Sequence, residues 1–389
     1  MKNQLADCFN EFGLRLFKQL PTGNCFFSPM SIAIALSALI PGARGKTYEE
    51  LEGVLNLRLS SVKAQLEEAV RELMVGLQAE TSSKLHLANG LFIQQDYSIL
   101  ESYREVLEAA YMAGIFSVDF RLSQAMKQIN QWAERKTNGM IRHLLGELSK
   151  ETKLVLANAI YFKALWRDPF DGKLTEKKPF YLGRRIESFL RQELVPVDMM
   201  LKTSTFRYMK NRQIGFEALD IQYEDRNHSL LLVLPAKRKL CRVEQALDPD
   251  LLGEVWTQLE STLVHLELPK LDMDCRYTLN DSLKKLGIRT AYSDQANFSG
   301  ITDDPLGLKI SGAIHQARMQ VDEEGTEAAA ATAIMMEVTC SLFPTRTPHP
   351  IPFIVNRPFI FLIHDRRTGA ILFIGRVVNP NQKTPSENH

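Results

Sequence analysis

The stretch KLVLANAIYFKALW, Lys153 to Trp166, restricts what this chain can become more than any other. Successive side chains of a strand point to opposite faces. Apolar residues here occupy both parities, so both faces need cover. Such a strand lies inside a sheet with protein on each side, and the other segments have to supply those layers.

The chain has 389 residues, 45% of them hydrophobic, enough for one large domain or two small ones. No Gly-, Ser- or Pro-rich linker and no charge block divides it, so a single domain over 1–389 is expected. The net charge of +1 gives no electrostatic footing for nucleic acid or an acidic membrane as partner. The densest basic cluster, Lys237, Arg238, Lys239 and Arg242, reads as a solvated turn. Cys8, Cys25, Cys241, Cys275 and Cys340 are odd in number, far apart and free of any CxxC pair. That argues against a disulfide framework or a zinc site. Cys25, in an apolar run, reads as a small core residue. No cofactor is implied.

The opening MKNQLADCFNEFGLRLF carries a helical stripe of Leu5, Phe9, Phe12 and Leu16 and lacks the apolar core of a signal peptide. No run of 18 apolar residues exists, so no membrane span is expected. The expected location is the cytosol, or outside the cell if a leader was removed. NxS sequons at Asn227, Asn280 and Asn297 permit glycosylation in the second case.

Helical patterns dominate the first third. Ser28-Pro29 starts a helix apolar nearly all round, and residues 60–77 form an amphipathic helix. Leu85 to Gln94 reads as a strand, Ser98 to Tyr111 and Gln124 to Thr137 as helices. Strands follow at Ser204 to Met209, Glu217 to Gln222, Ser229 to Leu234 and Leu263 to Leu268, with a helix over Tyr277 to Lys284. Pro352 to Val355, Phe359 to His364 and Ile371 to Val378 close the chain as strands. Helices first and strands later give an α+β fold.

One segment stays ambiguous by pattern. In VDEEGTEAAAATAIMMEV, Val321 to Val338, one parity holds Thr326, Ala328, Ala330, Thr332, Ile334, Met336 and Val338, while Glu327 and Glu337 fall on the other. A strand with one small, apolar face fits, and so does a helix, which the Glu and Ala content favours. The Pro-rich Thr339 to Pro352 reads as an exposed loop in either case.

Enzyme signatures such as GxSxG, HExxH, a P-loop or GxGxxG are missing, and no two of the eight histidines stand four apart. Other motifs agree in order over nearly the whole length: NCFFSPMS from Asn24, NQWAERKTNGMI from Asn130, NAIYFKALW from Asn158, NFSGI from Asn297, VDEEGTEAAAAT from Val321, and the C-terminal NRPFIFLI and LFIGRVVNP. Through them the chain resembles the serpins.

The resemblance implies about nine helices around three β-sheets, a monomer, and a reactive loop over about 323–352. It implies no enzyme but an inhibitor, which offers that loop as bait to a serine or cysteine protease and traps the acyl-enzyme by inserting the cut loop into the main sheet. A non-inhibitory carrier, chaperone or storage protein is the alternative. The matched hinge is Glu323, Glu324, Gly325, Thr326, Ala328, Ala330 and Thr332, and with it the alternation reads as a latent strand. Ser28, Ser31, Asn158 and His315 match the polar cluster called the shutter, and Trp166 the tryptophan at the top of the sheet, the breach. Family spacing puts the reactive bond at Thr339-Cys340, with Arg346-Thr347 as the rival in a tail longer than usual. The helix over 61–77, which matches the heparin-binding helix of some members, has Glu67, Glu68 and Glu72 against Lys63 and Arg71, so no heparin site is expected there.

Overall fold

The computed structural model describes residues 2–57, 65–78, 83–146, 148–182, 193–237, 239–304, 307–326 and 349–382. Among them run nine helices: α1 Lys2–Phe17, α2 Pro29–Ser37, α3 Gly45–Val54, α4 Leu66–Gln78, α5 Glu101–Val106, α6 Gln124–Lys136, α7 Leu240–Ala246, α8 Pro249–Gln258 and α9 Asn280–Leu286. The strands are β1 Cys25–Phe27, β2 Lys84–Gln94, β3 Gly114–Val118, β4 Leu154–Leu165, β5 Glu176–Tyr181, β6 Leu194–Asn211, β7 Phe216–Gln222 and β8 His228–Pro235. After them come β9 Glu260–Pro269, β10 Leu271–Thr278, β11 Ile310–Val321, β12 Gly325–Thr326, β13 Ile351–Ile354, β14 Phe359–Asp365 and β15 Ile371–Val377.

Hydrogen bonds join these strands into two sheets. The six-stranded one runs β10-β11-β12-β4-β2-β3, and in the nine-stranded one the order is β1-β15-β14-β8-β7-β6-β9-β13, with β5 also on β6. The three sheets implied by the family appear as two because β6, 18 residues long, serves two groups of neighbours. It pairs with β5 and β9 along most of its length and with β7 at its end.

As its two-parity pattern predicts, β4 is buried along most of its length. Every residue of β8, β14 and β15 is buried as well. All nine residues of α2 are buried; the Ser28 side chain caps it by accepting from Ser31 N–H, and Pro29 stands where no donor is needed. A second, smaller core lies under α6, where Trp132 meets Phe92 edge-on at 5.3 Å. Cys25 is buried, and burial pushes its thiol up to about 12. The expected helix from Tyr277 starts only at Asn280, since Tyr277 and Thr278 end β10. Asn280 donates to Ser311 O and accepts from Ala313 N, so the amide of that sequon is already committed. Of the helix expected over 60–77, residues 60–64 lie outside the described ones.

Candidate functional site

The site grows from the place where β11 ends. The Asp322 carboxylate accepts from Glu324 N (3.0 Å) and Gly325 N (3.1 Å), which reverses the chain. Thr326 then returns as a short strand, antiparallel both to Val321 of β11 and to Ala164 of β4. Its side chain is fully buried, and its hydroxyl meets the Tyr223 hydroxyl at 2.8 Å. A β-carbon on Gly325 would sit 2.1 Å from Ala164 O and 2.6 Å from Leu165 Cα. Both are main-chain atoms, so glycine is needed here for close approach.

Trp166 lies against this turn. Its indole N–H donates to Asp322 O (2.9 Å), its backbone N–H to Glu324 O (2.8 Å), and its ring stacks on Tyr223 at 4.7 Å. Glu323 is tied down separately, by Lys270 at 2.7 Å and by the Thr175 hydroxyl at 2.6 Å. Burial alone would raise the Glu323 carboxyl, but the hydrogen bonds from Lys270 and Thr175 outweigh it and hold the group below its usual range.

Below Thr326 no strand separates β4 from β11. They pair directly and in parallel, Ile310 to Arg318 beside Leu154 to Tyr161. A strand continuing from Thr326 would be antiparallel to both, so the seam is a slot that opens only by parting these two.

The seam is bolted at one level. His315 and Asn158 are register partners across it, and Asn89 partners Asn158 on the other side. Ser28 N donates to His315 Nε2 (3.1 Å). The ring proton therefore sits on Nδ1 and goes to Asn158 Oδ1. The Asn158 amide in turn donates to Ser31 Oγ (2.5 Å) and to Asn89 Oδ1. Each bond fixes the next donor, so the imidazole is neutral with both ring nitrogens paired, while the Asn89 amide nitrogen is buried with no partner among the described residues. Burial lowers the His315 pKa to about 3 from 6.5.

This depression makes the bolt acid-sensitive. The unfolded chain takes up a proton below pH 6.5 and the folded chain does not, so stability present above 6.5 is lost as pH falls toward 3, by about 1.4 kcal/mol per unit. The thermal midpoint of the wild type should therefore fall over that range more steeply than that of His315→Gln. Parallel profiles for the two proteins would remove His315 from the acid response.

The chain thus brings together Ser28, Ser31, Asn158 and His315 in one cluster, and Glu323, Glu324, Gly325, Thr326 and Trp166 in another. Ala328, Ala330, Thr332, Thr339, Cys340, Arg346 and Thr347 lie outside the described residues. Sequence reasoning missed Asn89, Thr175, Tyr223 and Lys270. Asn89 carried a signal, being a polar residue inside the strand LHLANGLFIQ; the others carried none. Asp220, Ser229 and His364 also meet, but Ser229 Oγ (2.7 Å) and Asp220 Oδ1 (3.3 Å) both reach Nε2 of the one ring. A proton relay needs the two partners on different nitrogens.

A polar cluster thus ties β4 to β11 across their parallel seam, and the Asp322–Thr326 turn seats at the seam's upper end. The family model described as Serpin (serine protease inhibitor) matches residues 8–380. Serpin A3-1 of Bos taurus is 35% identical over 386 residues, 97% of this chain and 90% of its own. Human thyroxine-binding globulin superposes with a TM-score of 0.89 at 31% identity, covering 98% of this chain and all of that one. Mouse protein-Z dependent protease inhibitor does so with 0.86 at 28% identity, covering 98% of each. The chain belongs to the serpin family.

Proposed function

We propose that this chain inhibits serine-type endopeptidases as a suicide substrate. The observation that carries this reading is Thr326, buried between β4 and β11 at the end of β12, a short strand antiparallel to both. A protease serine attacks the carbonyl of the residue before the cut, the new amino terminus leaves, and an ester joins inhibitor to enzyme. The freed segment then follows Thr326 into the seam and draws the enzyme along. Small residues on one parity, Ala328, Ala330 and Thr332, suit entry past the Trp166–Tyr223 stack.

The scissile bond we assign is Thr339-Cys340. An extended residue spans roughly 3.3 Å, so the sixteen or so steps from Glu323 cover about 50 Å, enough to stretch a tether along the sheet. A cut at Arg346-Thr347 would add roughly 20 Å of slack and give turnover or a weak trap. Thr339 fits a protease with a small specificity pocket.

Incubation with a panel of serine proteases tests both statements. We expect a complex that survives denaturing electrophoresis and a C-terminal fragment that begins at Cys340 by mass spectrometry. A fragment beginning at Thr347 overturns the bond, and clean cleavage by every enzyme overturns inhibition. The latter outcome would favour a non-inhibitory carrier, a reading supported by the likeness to thyroxine-binding globulin.

A further inference from the structure

The basic cluster after β8 is more than a turn. The β6–β7 hairpin folds back on it: Ile214 N bonds Asn211 Oδ1 (2.9 Å), Gly215 N bonds Asn211 O (3.0 Å), and Ala236 N bonds Gly215 O (2.9 Å). This brings three distant basic segments around one cleft of about 600 Å³. Lys210 and Arg212 come from the hairpin, Lys237 from the cluster, and Arg357 from the chain just after β13. That volume lies within the usual range for a small-ligand site.

The charge balance is one-sided. Four cations line the cleft against one acid, Glu217, which is already paired with Lys210 at 2.5 Å. Arg242, in α7, donates to Gln213 O, so a further cation reaches the same hairpin. The half-buried Arg357 guanidinium is held by main-chain carbonyls, Pro235 O at 2.8 Å and Ile354 O at 3.4 Å, and among the described residues it forms no ion pair. In a chain of net charge +1 this is a concentrated positive field. Between the cations, Phe216, Leu234 and Ala236 give the cleft an apolar wall.

We propose that this cleft binds a compact polyanion: a ring carrying two or more phosphate or sulfate groups, its flat face on the apolar wall and its oxyanions on Arg212, Lys237 and Arg357. Guanidinium and ammonium groups around a partly closed cleft suit oxyanions, the planar forks of Arg212 and Arg357 by paired hydrogen bonds. Two sources share this chemistry, a phosphorylated inositol and a sulfated sugar.

Isothermal titration of the full chain tests the site with two probes, inositol hexakisphosphate and a fully sulfated disaccharide, at low and at physiological salt. We expect saturable one-to-one binding of at least one probe, weakened by salt. Arg212 and Lys237 are exposed, so Arg212→Ala with Lys237→Ala should leave the fold intact and its thermal midpoint unchanged. Each lost charge-assisted contact should weaken binding by about tenfold or more. Lys127→Ala with Lys285→Ala, exposed on α6 and α9, should bind like the wild type. Response to the phosphate alone identifies the inositol source, and response to the sulfate alone the sugar. Binding of neither probe, or unchanged affinity in the Arg212 and Lys237 variant, overturns the proposal.

Discussion

A single cut between Thr326 and Ile351 should raise the thermal unfolding midpoint by about 10 °C or more. The β4–β11 pair is parallel, and a strand entering from Thr326 would exchange one slanted ladder for two antiparallel ones. If about ten residues enter, each with a net gain of about 1 kcal/mol in ladder bonds and burial, a chain of this size shifts by roughly 10–20 °C. The intact fold is then held short of its most stable arrangement by a kinetic barrier. The bolt across the seam, Asn158 to His315, is part of that barrier, because it must open before the strand can pass. Calorimetry before and after limited proteolysis measures the shift, and an equal or lower midpoint in the nicked protein sinks the latent-strand account.

On the proposed mechanism, Thr326→Arg should replace trapping of the protease by turnover. The threonine side chain is fully enclosed, with the Tyr223 hydroxyl on one side and the main chain of Ala164 and Val321 on the others. Nothing among these offers a carboxylate, so the guanidinium would have to enter unpaired, at a cost of several kcal/mol. Insertion slows by that margin while hydrolysis of the ester does not. The number of inhibitor molecules consumed per protease trapped should rise more than about tenfold, since each 1.4 kcal/mol is a factor of ten in a rate. Stoichiometric titration reads this directly, and an unchanged ratio would mean that Thr326 is not where insertion begins. Cleavage of the variant at the same bond separates this effect from failure of the protease to recognise the loop.

How far the sequence reveals such a molecule depends on the range of the interaction. β4 is legible because burial on both faces leaves a local mark, apolar residues on both parities. The helix α2 is legible for the same reason, with Ser28-Pro29 marking its start. Strand β10 alternates buried and exposed residues along LDMDCRYT, yet its acidic residues hid it. The bolt itself was readable only through family resemblance. Asn158 and His315 are 157 positions apart, and nothing in either neighbourhood points to the other. Lys270 and Tyr223 were missed for that reason: each meets the hinge across a long stretch of chain. The cleft cations were visible singly, but their convergence depends on how the β6–β7 hairpin closes over Ala236.

Thr326 and Ile351 are anchored in different sheets, the first in the six-stranded one and the second in the nine-stranded one. The strands that begin at Ile351, β13, β14 and β15, are woven into the latter, against β9, β8 and β1. A nicked molecule is therefore a tight heterodimer of its own fragments. It elutes as one species under native conditions and resolves into two in denaturant. Its reassembly from denaturant is a second-order reaction, slowed by dilution, whereas the uncut chain refolds at a rate independent of concentration.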